Sequence, residues 1–158
     1  MHRATRVGAA AAAARAGLTF AGAVALAASA TACGPSGPPA LRAWSDTYEF
    51  RITSDPSPPH ARETTLYHVV VLDRKSHQVI DRGEGQIFAT SQDRANVYDS
   101  FTPAPEAGTY TARMNYITAG DWHVAVRFRR DSTAKLERIE DWVQTVYGAR
   151  PIGERPIQ

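Results

Sequence analysis

The chain is nearly without cysteine: Cys33 stands alone among 158 residues, so no disulfide can form within it. It has no acidic residue before Asp46. Its longest apolar stretch runs only from Ala16 to Ala32, where Cys33, Gly34 and Pro35 end it. A membrane-spanning helix needs about 18 or more apolar residues, and alanine, which buries little area, dominates this one. A spanning segment is therefore not expected. Catalytic motifs are missing too. Neither G-x-S-x-G nor H-E-x-x-H occurs. Gly83-Glu84-Gly85 lacks the third glycine and the following helix of a phosphate loop.

What the first residues do contain is a basic head and an apolar middle. His2, Arg3, Arg6 and Arg15 precede or flank the uncharged run Leu18 to Ala30, and small residues follow. That order describes a secretory signal peptide over residues 1–32. Its removal takes the 18 basic residues to 15, against 16 acids, and the net charge from +2 to −1. A nucleic-acid binder shows a basic patch or stripe. The nearest thing here is the short group Arg127, Arg129 and Arg130, so nucleic acid is not an expected partner.

Cys33 follows Ala30-Thr31-Ala32 and precedes Gly34-Pro35-Ser36-Gly37-Pro38-Pro39. A lone thiol at a cleavage point, followed by such a tether, resembles the lipobox of bacterial lipoproteins. The resemblance implies that Cys33 carries the lipid and that the chain is held at a membrane outside the cytoplasm. Ala30 departs from the Leu, Val or Ile usual at that position. Ordinary cleavage after Ala32 or Ala30, leaving a soluble protein with a free thiol, is the alternative. An unpaired cysteine otherwise serves an exported chain poorly.

Residues 33–44 read as this anchor and a Pro/Gly linker, residues 45–148 as one domain, and residues 149–158 as a tail. Tyr48, Phe50 and Ile52 alternate with polar neighbours, a half-buried strand that Asp55-Pro56-Ser57-Pro58-Pro59 stops. Thr64 to Leu72 is β-branched and aromatic, a more central strand. Gln78 to Ile80 reads as a short strand and Gln86 to Thr90 as another, while Ser91 to Pro105 is irregular. Tyr110, Ala112, Met114 and Tyr116 alternate with polar residues, as do Trp122, Val124, Val126 and Phe128. Thr118-Ala119-Gly120-Asp121 between them predicts a hairpin. Leu136, Ile139, Val143 and Val146 fall at helical spacing, yet Trp142 to Tyr147 are good strand formers, which leaves that element open. Short strands without a βαβ rhythm predict an all-β, antiparallel sandwich.

The pattern resembles the YtkA-like/FixH-like group of exported immunoglobulin-like domains. The residues that carry the likeness are Phe50 to Pro59, Tyr67 to Asp73, Gly108-Thr109-Tyr110 and Gly120-Asp121-Trp122. The resemblance implies an immunoglobulin-like sandwich of about seven strands, with a final strand over Asp141 to Tyr147. Some relatives are associated with copper handling or oxidase assembly, which implies copper as a candidate cofactor.

Candidate metal ligands are His68 and His123, which could meet if their strands face each other, and His60 at a strand entrance. They form no H-x-H or H-x-x-x-H pair. Glu137, Glu140 and Asp141 beside Lys135 and Arg138 read as a solvated face, not as an acid/base pair. No enzyme is expected. A binding or accessory domain with an envelope protein partner is. Asn96, Tyr98 and Phe101 are the candidate contact residues, with plugging of the sandwich end as the other role for the two rings.

Overall fold

The computed structural model describes residues 40–139, 141–151 and 153. Residues 1–32, read as a signal peptide, and Cys33 lie outside the described residues. The strands are β1 (Leu41–Trp44), β2 (Tyr48–Asp55), β3 (Thr64–Asp73), β4 (Glu84–Ser91), β5 (Asn96–Ser100), β6 (Thr102–Pro103), β7 (Thr109–Asn115), β8 (Gly120–Arg129), β9 (Glu137–Arg138) and β10 (Trp142–Val146). They form two antiparallel sheets, ordered β1-β2-β3-β7-β6 and β10-β8-β4-β5, with β9 added to β8. Seven strands have five residues or more, and β1, β6 and β9 are short additions. The chain is an all-β sandwich.

Alternation decides the faces. In β3, Thr65, Tyr67, Val69 and Val71 are buried; in β8, Trp122, Val124, Val126 and Phe128 are. These rows meet in the core from opposite sheets. Phe128 is the hub of one half, with ring centroids 5.1 Å from Tyr48, 5.5 Å from Tyr110, 6.1 Å from Phe50 and 6.4 Å from Phe101. Gly85 lies against this cluster, where a β-carbon would overlap the Phe101 ring. The other half holds Tyr116 edge-on to Trp122 at 5.2 Å.

Four expectations change. β7 and β8 are not a hairpin: β7 pairs with β3 and β6, and β8 with β4, β9 and β10. Both strands carry a full apolar face, so stacking them across the core buries each on the other, and alternation looks the same in either arrangement. Leu41 to Trp44, read as the end of a linker, are instead a strand paired with Glu49 to Ile52. The irregular stretch contains β5 and β6, a strand that switches sheets at Phe101. Gln78 to Ile80 contributes only a bridge between Val79 and Leu72. The open element is the strand β10.

Two details bear on stability. Thr65 is fully buried, and its hydroxyl has no hydrogen-bond partner. Valine keeps the shape and removes the orphaned donor, so Thr65→Val is expected to raise stability by about 1 kcal/mol in urea titration; a loss would refute this reading. The tail is held at its start. Tyr147 N donates to Pro59 O (2.9 Å), Ala61 N donates to Tyr147 O (2.9 Å), and Arg150 Nε donates to both oxygens of Glu63 (3.0 and 3.1 Å). That pairing with Arg150 holds the buried Glu63 carboxyl below its ordinary value. Arg150→Ala would leave the carboxylate without its cation and is expected to cost about 2 kcal/mol, a discount for the part-exposed guanidinium. An unchanged denaturation midpoint would count against it.

The sandwich flanks differ. On one, Asp99 Oδ2 accepts the Arg113 backbone N–H at 2.7 Å, capping β7 where β6 has ended. On the other, β10 has no strand on its outer side among the described residues.

Candidate functional site

The three candidate histidines do not come together. His68 lies between inward-facing Tyr67 and Val69, in register with Thr53 and Thr111, so it points out of the five-stranded sheet. His123 lies between inward-facing Trp122 and Val124, in register with Thr90 and Val143, and points out of the other sheet. The strands do face each other, but alternation turns both imidazoles to opposite outer surfaces, with a core about 10 Å thick between the sheets. His60 sits at one end of the sandwich, its Nδ1 2.9 Å from Gly148 O and its ring tilted over Tyr147. Met114, the soft donor among the described residues, is fully buried opposite Thr65. Among the described residues, no three His, Cys, Asp or Glu groups converge on a common point. This donor set does not fit a copper centre built on His68, His123 and His60.

The acidic cluster is also not a uniform solvated face. Glu137 is buried, and its carboxylate accepts Ser45 Oγ (2.5 Å), Thr47 N (2.9 Å) and Thr47 Oγ1 (2.6 Å). Burial opposes the charge, but these donors outweigh it and hold the carboxyl below its ordinary value. The group ties the turn after β1 to the opposite sheet. Asp141 pairs with Arg138 at the surface, and Glu140 lies outside the described residues. The other buried polar pair is Tyr67 OH and Tyr116 OH, 2.7 Å apart. Burial pushes Tyr67 up to about 12 against the Tyr116 hydrogen bond, and pushes Tyr116 up as well. Both stay protonated at neutral pH.

The three candidate contact residues separate. Phe101 stacks on Tyr110 at 5.8 Å and, partly buried, packs against the core, the position of a plug in the sandwich. Asn96 braces the β4–β5 turn: its Oδ1 accepts Thr90 Oγ1 at 2.7 Å and its Nδ2 donates to Arg94 O at 3.1 Å. Tyr98 points outward from β5 and is 70% exposed. Its hydroxyl and ring have no partner among the described residues.

Around Tyr98 the sheet supplies residues that sequence reasoning did not single out. Phe88 is its direct cross-strand partner. Arg127 and Arg138 lie over the Phe88 ring, their guanidinium carbons 5.8 and 5.2 Å from its centroid. Gln86 Oε1 accepts from Arg127. Tyr98, Phe88, Gln86 and Arg127, with Thr90 and Asn96, line a shallow depression of about 270 Å³. The charges are uneven. Arg129 pairs with Glu84, Arg130 with Asp73 and Arg138 with Asp141, whereas Arg127 has no carboxylate partner among the described residues. The signal in sequence was the basic group at 127–130, but which of its members lacks an acid depends on long-range pairing.

No protein-family model matches the chain, and no curated protein matches it in sequence. Among solved structures, it is similar to a copper-bound variant of FetP from a uropathogenic Escherichia coli strain. The TM-score is 0.50 at 11% identity, over 76% of this chain and 98% of that one. At that identity the likeness is one of fold.

Proposed function

We propose that this chain is an extracytoplasmic lipoprotein, anchored through Cys33, whose sandwich serves as a binding or accessory domain in the cell envelope. The observation that carries the binding role is the exposed Tyr98 beside Arg127, which have, among the described residues, no partner and no carboxylate respectively. Tyrosine and arginine dominate binding energy at interfaces because they combine large apolar area with directed donors. A non-enzymatic role agrees with the buried Glu137, whose acceptors are already used on Ser45 and Thr47. Membership of the YtkA-like/FixH-like group is supported by the order of elements: G-x-Y opens β7, G-x-W opens β8, and a last strand follows.

The anchor reading has a geometric consequence. Seven residues separate Cys33 from Leu41, a reach of at most about 29 Å when fully extended. The sandwich would then work close to a bilayer. Mass spectrometry of the mature protein should show a lipid-sized mass that disappears in Cys33→Ala, and the variant should leave the membrane fraction. Equal masses beyond the side-chain change would end the anchor reading while leaving the binding face untouched.

Copper binding is the second reading. The fold shared with a copper-bound protein supports it, and the divergent placement of His68, His123 and His60 counts against it. Titration of the purified protein with Cu(I) and Cu(II) decides: no affinity tighter than about micromolar discards copper.

A further inference from the structure

We propose that one end of the sandwich, built from loops 56–62, 116–120 and 147–149, rests on the bilayer surface. Ile117 and Tyr147 enter the headgroup layer there, and Arg62 meets the lipid phosphates. The inference rests on the anchor reading above and goes beyond it by naming the face that touches lipid.

The first observation is how this end is put together. Ala61 N donates to Tyr147 O (2.9 Å) and Arg62 N donates to Tyr116 O (2.8 Å). Consecutive residues between β2 and β3 thus tie the other two loops side by side. Ile117 is 55% exposed and Tyr147 53%. Pro56 to Pro59, Tyr116 to Gly120 and Tyr147 to Ala149 contain no charged residue. Arg62 is exposed between them and has no carboxylate partner among the described residues. The exposed acids at this end, Asp55, Asp93 and Asp121, stand on strand ends and the β4–β5 turn, outside the three loops. An isoleucine gains by leaving water, a tyrosine suits the boundary between water and lipid, and an arginine reaches phosphate oxygens.

The opposite end is charged. Arg74, Lys75, Asp81, Arg82, Asp131 and Lys135 are exposed there. Trp44 and Leu136 are exposed too, but their depression also holds Asp46, Arg74 and Lys135. Taking such charges out of water is costly, which disfavours contact with lipid.

The second observation is where the tether joins. β2 runs towards the uncharged loops and finishes at Asp55, and β1 is antiparallel to it, with Leu41 opposite Ile52. A tether that continues the line of β1 back from Leu41 therefore leads to this end. From the level of Ile52 to Asp55 is a rise of about 10 Å. The reach from Cys33 to Leu41, about 29 Å, spans it with length to spare.

Tryptophan emission tests this. Trp44, Trp122 and Trp142 are the chain's tryptophans, and none lies in the three loops. The full chain is held on vesicles of phosphatidylethanolamine and phosphatidylglycerol, with or without bromine on the acyl chains. It is held by its own lipid or, where the Cys33 thiol is free, by coupling that thiol to a maleimide lipid. Ile117→Trp should lose most of its added emission in the brominated vesicles, while the parent keeps its own. Arg62→Glu, added to Ile117→Trp, should restore emission, because a carboxylate repels the phosphates; no change would overturn the pairing of Arg62 with lipid. Equal quenching of the parent and Ile117→Trp would overturn the proposal. Quenching of the parent that Trp44→Phe removes would overturn it in favour of the charged end. A chain that stays on vesicles only after coupling refutes the lipid anchor, yet its emission still decides the face, so the two readings fail separately.

Discussion

Replacing Phe128 by alanine is expected to remove about 4 kcal/mol of stability, because the cavity opens in a cluster that cannot close around it. Tyr48 and Phe50 reach this ring from β2, Tyr110 from β7 and Phe101 from the strand that switches sheets. Each of these residues is fixed by its own ladder, so the walls cannot move in without breaking backbone pairing. A domain of this size has a net stability on the order of 5–15 kcal/mol, so the variant should unfold at much lower urea. A midpoint close to the parent's would show that the ring is not the hub.

The second large effect is expected at Glu137. Glu137→Ala would strand the hydroxyls of Ser45 and Thr47 and free the turn that follows β1, at a cost of about 3 kcal/mol. Glu137→Gln keeps the shape but loses the charge, and should fall between the two. Acid should act in the same direction. Donors hold Glu137 below the ordinary value of 4.5; Arg51 first, and then its neighbours, hold Glu49 there, and Arg150 does the same for Glu63. A carboxyl whose folded pKa is depressed binds its proton more readily when unfolded. Its contribution is complete above the unfolded value and is lost as pH falls through the folded one. Stability should thus decline below about pH 4.5. In Glu137→Ala the decline should be shallower, because one of the depressed carboxyls is gone. A parallel decline in parent and variant would exclude Glu137 from the acid response.

The sandwich was legible in the sequence because period-two alternation is a local property. Tyr48 to Ile52, Tyr110 to Tyr116 and Trp122 to Phe128 each declare a buried face without reference to any other segment. What alternation does not contain is the neighbour. Whether β7 lies beside β8 or across the core from it is set by which pairing buries both apolar faces, and a loop containing Gly120 serves either case. The same limit applied to the histidines. That His68 and His123 sit on outward positions was readable from Tyr67, Val69, Trp122 and Val124, yet their separation followed only once the two strands were known to belong to different sheets. The sequence left Tyr98 and Phe101 two roles each, contact or plug, and only the structure separates them: Tyr98 stays exposed and Phe101 packs on the core. The switch between sheets turns Phe101 into the core one residue after a strand that places Tyr98 and Ser100 outward. Glu137 was hidden by its company, since a charged run reads as solvated unless the hydroxyls that bury it come from 90 residues away.

The unequal flanks bear on how copies of the chain would meet at high concentration. Along β7, the Asp99 carboxylate occupies an amide that an incoming strand would need, and its charge resists a second backbone. Along β10, the sequence from Trp142 to Val146 carries no charge, and among the described residues no strand pairs with its outer side. Of these two edges, β10 is the one that leaves room for a second backbone, so strand pairing between copies would favour β10 over β7.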